Sequence, residues 1–372
     1  MGASLYLGLA CGVPMAGVSA ALVDLEGTAP RLLAAHRKDY PERIRAALAE
    51  LARPPDDALD RMARLDVELG RHFSAAALEL LAAAGLNAPD VRAIGSGGQT
   101  VRHRPDVEPP YTIQLGDPSS VAEATDITTV ADFRRRDLAA HGEGAPLVPG
   151  FLVAVLAHPR EDRAVLELRE VARLTLMPAG GPTAAFDAGP ANALLDPWAL
   201  RHLGPGRDED GQWAAGGRVD VDLLETLLGD PYFERPPPKH AAPELFSQAW
   251  LAAHLDGRRL PPADVQATLV DLSAQAAARA LLGRLPDCRR LLVCGRGVHN
   301  RALMDRLGGA LPDCTVESSA SEGVDPDWVE PMAFAWLARE ALEGRPANLP
   351  ELTGADRRTL LGGIYPGAPA GT

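Results

Sequence analysis

Residues 4–10 and 17–25 are apolar runs separated by Gly12, Pro14 and Gly17. That spacing predicts a strand, a tight glycine-bearing turn and a second strand. The theme returns later in the chain. Residues 163–168 and 171–177 read as a paired strand unit and 183–187 as a third strand. Apolar residues at three- and four-residue intervals predict helices over about 41–53 and 57–84. Short strands fit 91–95, 111–115 and 127–130, and a helix starts near Asp132. Further helices fit 190–203, 219–228, 243–256 and 262–284. A strand at 290–294 runs into Gly295 and Gly297, followed by helices over about 299–310 and 328–343. Pro236-Pro237-Pro238 and Pro261-Pro262 mark loops. No short-period repeat is visible. The duplication at domain scale predicts an α/β chain of two related lobes facing a central cleft. The expected lobes are 1–145 and 146–372, with the last helix free to return to the N-terminal lobe.

With 372 residues, 46% of them hydrophobic and 23% charged, the chain has globular composition and the length for two lobes. Its net charge of -13 repels a phosphate backbone and sets aside general nucleic-acid binding. It does not exclude a nucleotide, because clustered backbone N–H groups overrule a global field. Cys11, Cys288, Cys294 and Cys314 form no C-x-x-C pair, so free thiols in a reducing compartment are expected. Leu7-Gly8-Leu9-Ala10-Cys11 faintly resembles a lipoprotein cleavage site, but no Lys or Arg precedes it and its apolar run is short. No stretch reaches the roughly 18–20 apolar residues of a membrane helix. The expected location is cytoplasmic, with no membrane partner.

Asp132-Phe133-Arg134-Arg135-Arg136-Asp137, followed by Gly142-Glu143-Gly144-Ala145-Pro146-Leu147-Val148-Pro149, is the most distinctive stretch. Gln114-Leu115-Gly116-Asp117 stands upstream of it, and Phe186-Asp187-Ala188-Gly189-Pro190-Ala191-Asn192 with Leu195-Asp196 downstream. Cys294-Gly295 to Asn300, Ala333 to Ala338 and Asn348 to Ala355 continue the series to the C-terminus. In this order the segments resemble the signatures of the anhydro-N-acetylmuramic acid kinase family, D-F-R-R-R-D…G-x-G-A-P-L-V-P and D-x-G-P-x-N among them. The resemblance covers nearly the whole chain.

The resemblance implies an actin-like, hexokinase-type fold of ribonuclease H-like lobes and a role in peptidoglycan recycling. It implies Mg-ATP-dependent opening of the anhydro bridge of 1,6-anhydro-N-acetylmuramic acid, with water added at C1 and phosphate at O6. ATP and Mg2+ are therefore the expected cofactors, a small amino sugar the expected partner, and a homodimer the expected assembly. Asp187 matches the family's general base, which takes the proton of the attacking water. The residues alone also allow an N-cap or Asx-turn role for Asp187. Gln114, Asp132, Arg134, Arg135, Arg136, Asp137, Gly189 and Asn192 are implied substrate contacts. The arginines offer forked donors to a carboxylate or sugar ring. Three consecutive arginines on a helix cannot all face one ligand, so one or two are expected to be structural. Asp132 is a helix cap or a sugar hydroxyl acceptor. Gly12, Gly17, Gly295 and Gly297 are implied nucleotide contacts, and no residue is assigned to a metal.

The phosphate side departs from the family pattern. Its S-G-T-S-x-D-G turn reads Cys11-Gly12-Val13-Pro14-Met15-Ala16-Gly17, losing hydroxyl donors and an acidic residue, and Pro14 offers no N–H. The N-I-G-G-x-x-N turn reads Glu167-Leu168-Arg169-Glu170-Val171-Ala172-Arg173, losing both glycines and placing two carboxylates near a triphosphate. H-G-Q-T reads Gly97-Gly98-Gln99-Thr100, K-S-T-G-R-E reads Lys239-His240-Ala241-Ala242-Pro243-Glu244, and G-G-G reads Gly295-Arg296-Gly297. The expectation is a retained sugar pocket with ATP-dependent turnover weak or lost; the alternative is a sugar-binding pseudokinase with a regulatory or scaffolding role. Set against it are a kinase that compensates through Arg169, Arg173 or Arg296, and a nucleotide-independent hydrolase.

Overall fold

The computed structural model describes residues 4–12, 15–27, 29–51, 58–204, 208–242 and 245–367. Its strands are β1 (Leu5–Ala10), β2 (Gly17–Asp24), β3 (Arg31–Asp39), β4 (Val91–Ser96), β5 (Gln99–Arg104), β6 (Tyr111–Leu115), β7 (Thr129–Ala131), β8 (Arg163–Leu168), β9 (Val171–Met177), β10 (Ala184–Pro190), β11 (Arg290–Cys294), β12 (Thr315–Ser318) and β13 (Gly363–Tyr365). The chain divides into two compact units, Met1–Val155 with Trp328–Thr372, and Leu156–Asp327.

The first unit's sheet has the order β13-β7-β4-β1-β2-β3. β1, β2 and β3 are successive antiparallel neighbours, while β1–β4 and β4–β7 pair in parallel. The second unit's sheet, β10-β9-β8-β11-β12, repeats the plan. β8, β9 and β10 form the antiparallel meander, and β8–β11 and β11–β12 are parallel. A three-strand meander flanked by two parallel strands is the ribonuclease H-like lobe, present once per unit. The duplicated α/β class expected from the sequence is the one observed.

The central strands β1 and β8 are buried almost throughout, as strands covered on both faces require. β3 is a partly exposed edge strand rich in charge, and its weak apolar pattern hid it from the sequence reading. The long helices Ala58–Ala84 and Pro262–Leu282 fall where the apolar periodicity placed them. The helix expected over 243–256 is shorter, Gln248–Leu255, with Ser247 capping it by accepting from the Trp250 N–H. Among the described residues no helix is long and apolar enough to cross a membrane.

One helix ties the two ends of the chain into the first unit. Val329–Leu342 lies across β1 and β4. A Cβ at Gly8 would fall 1.8 Å from the Pro331 carbonyl oxygen, and one at Gly95 1.9 Å from that of Phe334. The helix backbone thus rests directly on the strand backbones, an approach that only glycine permits. Gly8→Ala and Gly95→Ala are each expected to lose at least about 1–3 kcal/mol by overpacking. Gly308 sits in the helix Arg301–Ala310 with nothing within 4 Å of its missing Cβ, so Gly308→Ala should be neutral or stabilising. Its expected gain is roughly 0.5–1 kcal/mol. Urea unfolding of the three variants checks both signs.

Candidate functional site

The second unit holds its most organised polar cluster around Asp187. The sequence reading ended a strand at Asp187 and put a turn after it. β10 instead runs on to Pro190, because a bulge between Asp187 and Gly189 keeps it paired with β9 through Val171. The cap role that the residues also allowed is not what Asp187 performs, since Ala191 occupies the N-cap of Asn192–Leu203. The Asp187 carboxylate is 6% exposed. Its Oδ1 accepts from Arg173 Nε at 2.8 Å on the neighbouring strand β9. Its Oδ2 accepts from the Ala241 N–H at 2.9 Å and faces His240 Nδ1 at 3.8 Å. The Asp187 N–H donates to the Lys239 carbonyl, and the Asp187 carbonyl accepts from the Tyr232 hydroxyl at 2.7 Å. Burial alone would raise the Asp187 pKa, but hydrogen bonds from His240 and Arg173 outweigh it and hold the group at about 2. Burial would likewise lower the Arg173 pKa, and Asp187 raises it instead.

The neighbouring turn is also fully engaged. The Asn192 N–H donates to the Arg169 carbonyl, and the Ala191 and Ala193 N–H groups donate to the Glu170 carbonyl. Asn192 is buried, and its Nδ2 donates to the Leu168 carbonyl. The helix's first amides are therefore satisfied within the protein. Gly295 has φ +79° and packs on this turn, where a Cβ would lie 2.8 Å from the Leu168 carbonyl oxygen; at Gly297 a Cβ would meet the Leu168 side chain. Arg296 pairs with Asp196. Gly189 packs against Phe233 and Ala276.

The first unit holds the other sequence-selected residues. Asp137 is fully buried and accepts from the Gly144 N–H, Asn348 Nδ2 and Thr353 Oγ1 at 2.8–2.9 Å. It is a brace that fastens the Gly142–Gly144 loop to the C-terminal segment. Arg134 donates to the Gly144 carbonyl at 3.0 Å, and burial lowers its pKa. Arg135 faces Asp132 at 3.4 Å, and both Arg135 and Arg136 are exposed. Asp132 has φ +59° and accepts from the Tyr365 hydroxyl; it makes no capping bond to the helix Phe133–Leu138. Gln114 Nε2 donates to Thr100 and Thr112, while its Oε1 is buried with no partner. Gly17 opens β2, where a Cβ would lie 2.4 Å from the Lys38 carbonyl oxygen. Gly12 comes near Glu330 Oε2. Val13, Pro14, Pro243 and Glu244, named in the sequence reading, lie outside the described residues.

Three residues escaped the sequence reading as site groups. Arg173 was weighed as a nucleotide contact and is instead Asp187's partner. His240 belonged to a segment counted as a loss, yet that segment clasps Asp187. Glu330 begins the helix Val329–Leu342, close to Gly12; burial pushes Cys11 up to about 12, and Glu330 adds to that rise. The strand pairing of β9 and β10 could have signalled Arg173, since it places Arg173 opposite Asp187. Nothing local signals Glu330. Among the described residues no group of three or more His, Cys, Asp or Glu is arranged to hold a metal ion.

The family model for anhydro-N-acetylmuramic acid kinase matches residues 4–367. The anhydro-N-acetylmuramic acid kinase of Xanthomonas campestris pv. campestris is 51% identical over 366 residues, 97% of each chain. That of Xylella fastidiosa is 48% identical over 368 residues, 98% of this chain and 97% of the relative. That of Nitrosospira multiformis is 44% identical over 366 residues, 98% of this chain and 100% of the relative.

The Asp187 cluster has a pH signature. Its folded pKa, about 2, lies below the ordinary 3.8, so its stabilisation is complete above pH 4 and disappears as pH falls through 2. The size is on the order of 2 kcal/mol, an upper figure because solvent reaches Arg173. Asp187→Asn should lose this increment at pH 7, and its stability gap from the parent should narrow between pH 4 and 2. Guanidinium unfolding of the two proteins across that range measures it.

Proposed function

We propose that this chain, which belongs to the anhydro-N-acetylmuramic acid kinase family, binds the family's 1,6-anhydro amino sugar in the cytoplasm and phosphorylates it weakly or not at all. The carrying observation is the occupied state of Asp187. A general base needs a lone pair within reach of the water proton. Here one carboxylate oxygen accepts from Arg173, and the other accepts from Ala241 and faces His240. A fall in pKa from 3.8 to about 2 makes the carboxylate a weaker base. The loss is roughly a hundredfold in proton affinity. Position 173, an asparagine in the family pattern, is a cation in this chain.

The second phosphate turn does not fit a triphosphate. Arg169 and Glu170 replace glycines, Glu167 stands beside them, and the amides of Asn192 and Ala193 are already bonded to the turn. The sugar side is better kept. Gln114 keeps a buried acceptor open, and Arg134 is half-buried in the field of Glu330. In this reading Gln114, Asp132 and Arg134 contact sugar or its carboxylate, Arg135 and Arg136 flank them, and Asp137 braces the loop. Gly189 and Asn192 shape the strand and turn around Asp187.

A working kinase is favoured by one observation: Asp187, which matches the family's base by its motif, is ionised and buried. Calorimetry with 1,6-anhydro-N-acetylmuramic acid, with and without Mg-ATP, separates the readings when paired with product mass spectrometry. Saturable sugar binding with no ATP heat and no product is expected. Arg173→Asn frees one Asp187 oxygen but leaves Arg169 and Glu170 in the turn, so it too should form no product. A parent product heavier by water plus a phosphoryl group would establish the working kinase, and water alone the hydrolase. No sugar binding would sink the proposal.

A further inference from the structure

The face of β10 opposite Asp187 carries a second feature, which the reaction chemistry does not use. Side chains alternate along a strand, so Phe186 and Ala188 point away from the Asp187 carboxylate. They form the floor of a cavity of about 270 Å³ between β10, the 233–239 segment and the helix Pro262–Leu282. Leu228, Phe233, Ala276 and Ala280 complete an apolar lining.

The rim is cationic. Arg235, Arg279, Arg284 and Lys239 line the cavity, with Glu234 as the one carboxylate among its lining residues. Among the described residues no ion pair joins Arg235, Arg279 or Arg284 to a carboxylate. Arg235 lies 5.8 Å over the Tyr232 ring, and Lys239 Nζ 4.6 Å over the same ring. Lys239 is 7% exposed, and its ammonium donates only to the Tyr232 and Phe233 carbonyls. Burial lowers its pKa, and Arg284 and Arg235 lower it further. Four cations meeting around one space, in a chain with 37 basic and 50 acidic residues, repel one another unless an anion joins them.

We propose that this cavity binds a small organic phosphate monoester, its phosphate held by Arg279, Arg284 and Arg235 and its apolar part on the Phe186–Phe233 floor. Guanidinium forks match a phosphate's oxygens in pairs, and a dianion offsets more of the clustered charge than a carboxylate does. The cavity has the volume of about nine waters at roughly 30 Å³ each, enough for a phosphate and one ring. An occupant would touch Phe186 and Ala188 on either side of Asp187 and would lie beside Lys239, whose carbonyl accepts from the Asp187 N–H. The site is separate from the sugar reading and does not depend on it.

Calorimetric titration of the full chain with phenyl phosphate tests the assignment, with inorganic phosphate and phenol as the partial probes. Saturable phenyl phosphate binding is expected, tighter than inorganic phosphate, weakened by salt, and absent for phenol. Arg279→Ala/Arg284→Ala removes two exposed side chains, one on the helix and one in the turn after it, and should weaken binding on the order of tenfold or more. Arg31→Ala, an exposed arginine of the first unit that pairs with Asp24, should leave binding within about twofold. No saturable heat at millimolar phenyl phosphate would overturn the proposal. So would unchanged affinity in the double variant, and equal affinity for inorganic phosphate would remove the apolar floor from the site.

Discussion

The contact between the helix Val329–Leu342 and strands β1 and β4 carries the first unit. Helices normally stand off a sheet by the length of their side chains. Here two glycines, Gly8 and Gly95, let the carbonyls of Pro331 and Phe334 come down onto the strands. That approach binds residues distant in sequence into one body, and it also sets a charge. It brings Glu330, in the helix's first turn, beside Gly12 and into the field of Arg134. A packing constraint thus delivers a carboxylate to a turn that has lost its own acidic residue.

The second unit uses the same sheet plan for a different end. A bulge in β10 turns Asp187 toward Arg173 on β9, while the segment around Lys239 and Ala241 closes over it. Charge, hydrogen bonds and burial compete at this carboxylate, and the bonds prevail, leaving it ionised, fixed and weakly basic. The strand's other side is apolar and meets four cations. One strand therefore separates an anion whose bonds are made from three arginines that, among the described residues, pair with no carboxylate.

Those two arrangements bear on the fate of the phosphate turns. A glycine turn presents free amides to a ligand because its own carbonyls and neighbours leave them open. At Leu168–Val171 the chain has filled that space with Arg169 and Glu170, and the helix amides that follow are bonded to the turn's carbonyls. Cation for asparagine at position 173 and side chains for glycine at 169 and 170 alter the surroundings of Asp187 and the turn together.

The sequence by itself determined the family, the duplicated α/β plan and the long helices, because apolar periodicity and ordered motifs are local and cumulative. Its motifs also singled out Asp187 and the arginine run through their resemblance to the family's signatures. Edge strands such as β3 and β13 escaped it, since an edge strand needs little apolar patterning. Tertiary structure alone decided what the chosen residues do. Asp137 reads like its neighbours in sequence, yet burial and three donors make it a brace. Arg173 lies 14 residues from Asp187 along the chain, and only strand pairing sets them 2.8 Å apart. A pKa, an occupied lone pair or a ring of unpaired cations is a sum over neighbours in space, and space is what a linear motif leaves out.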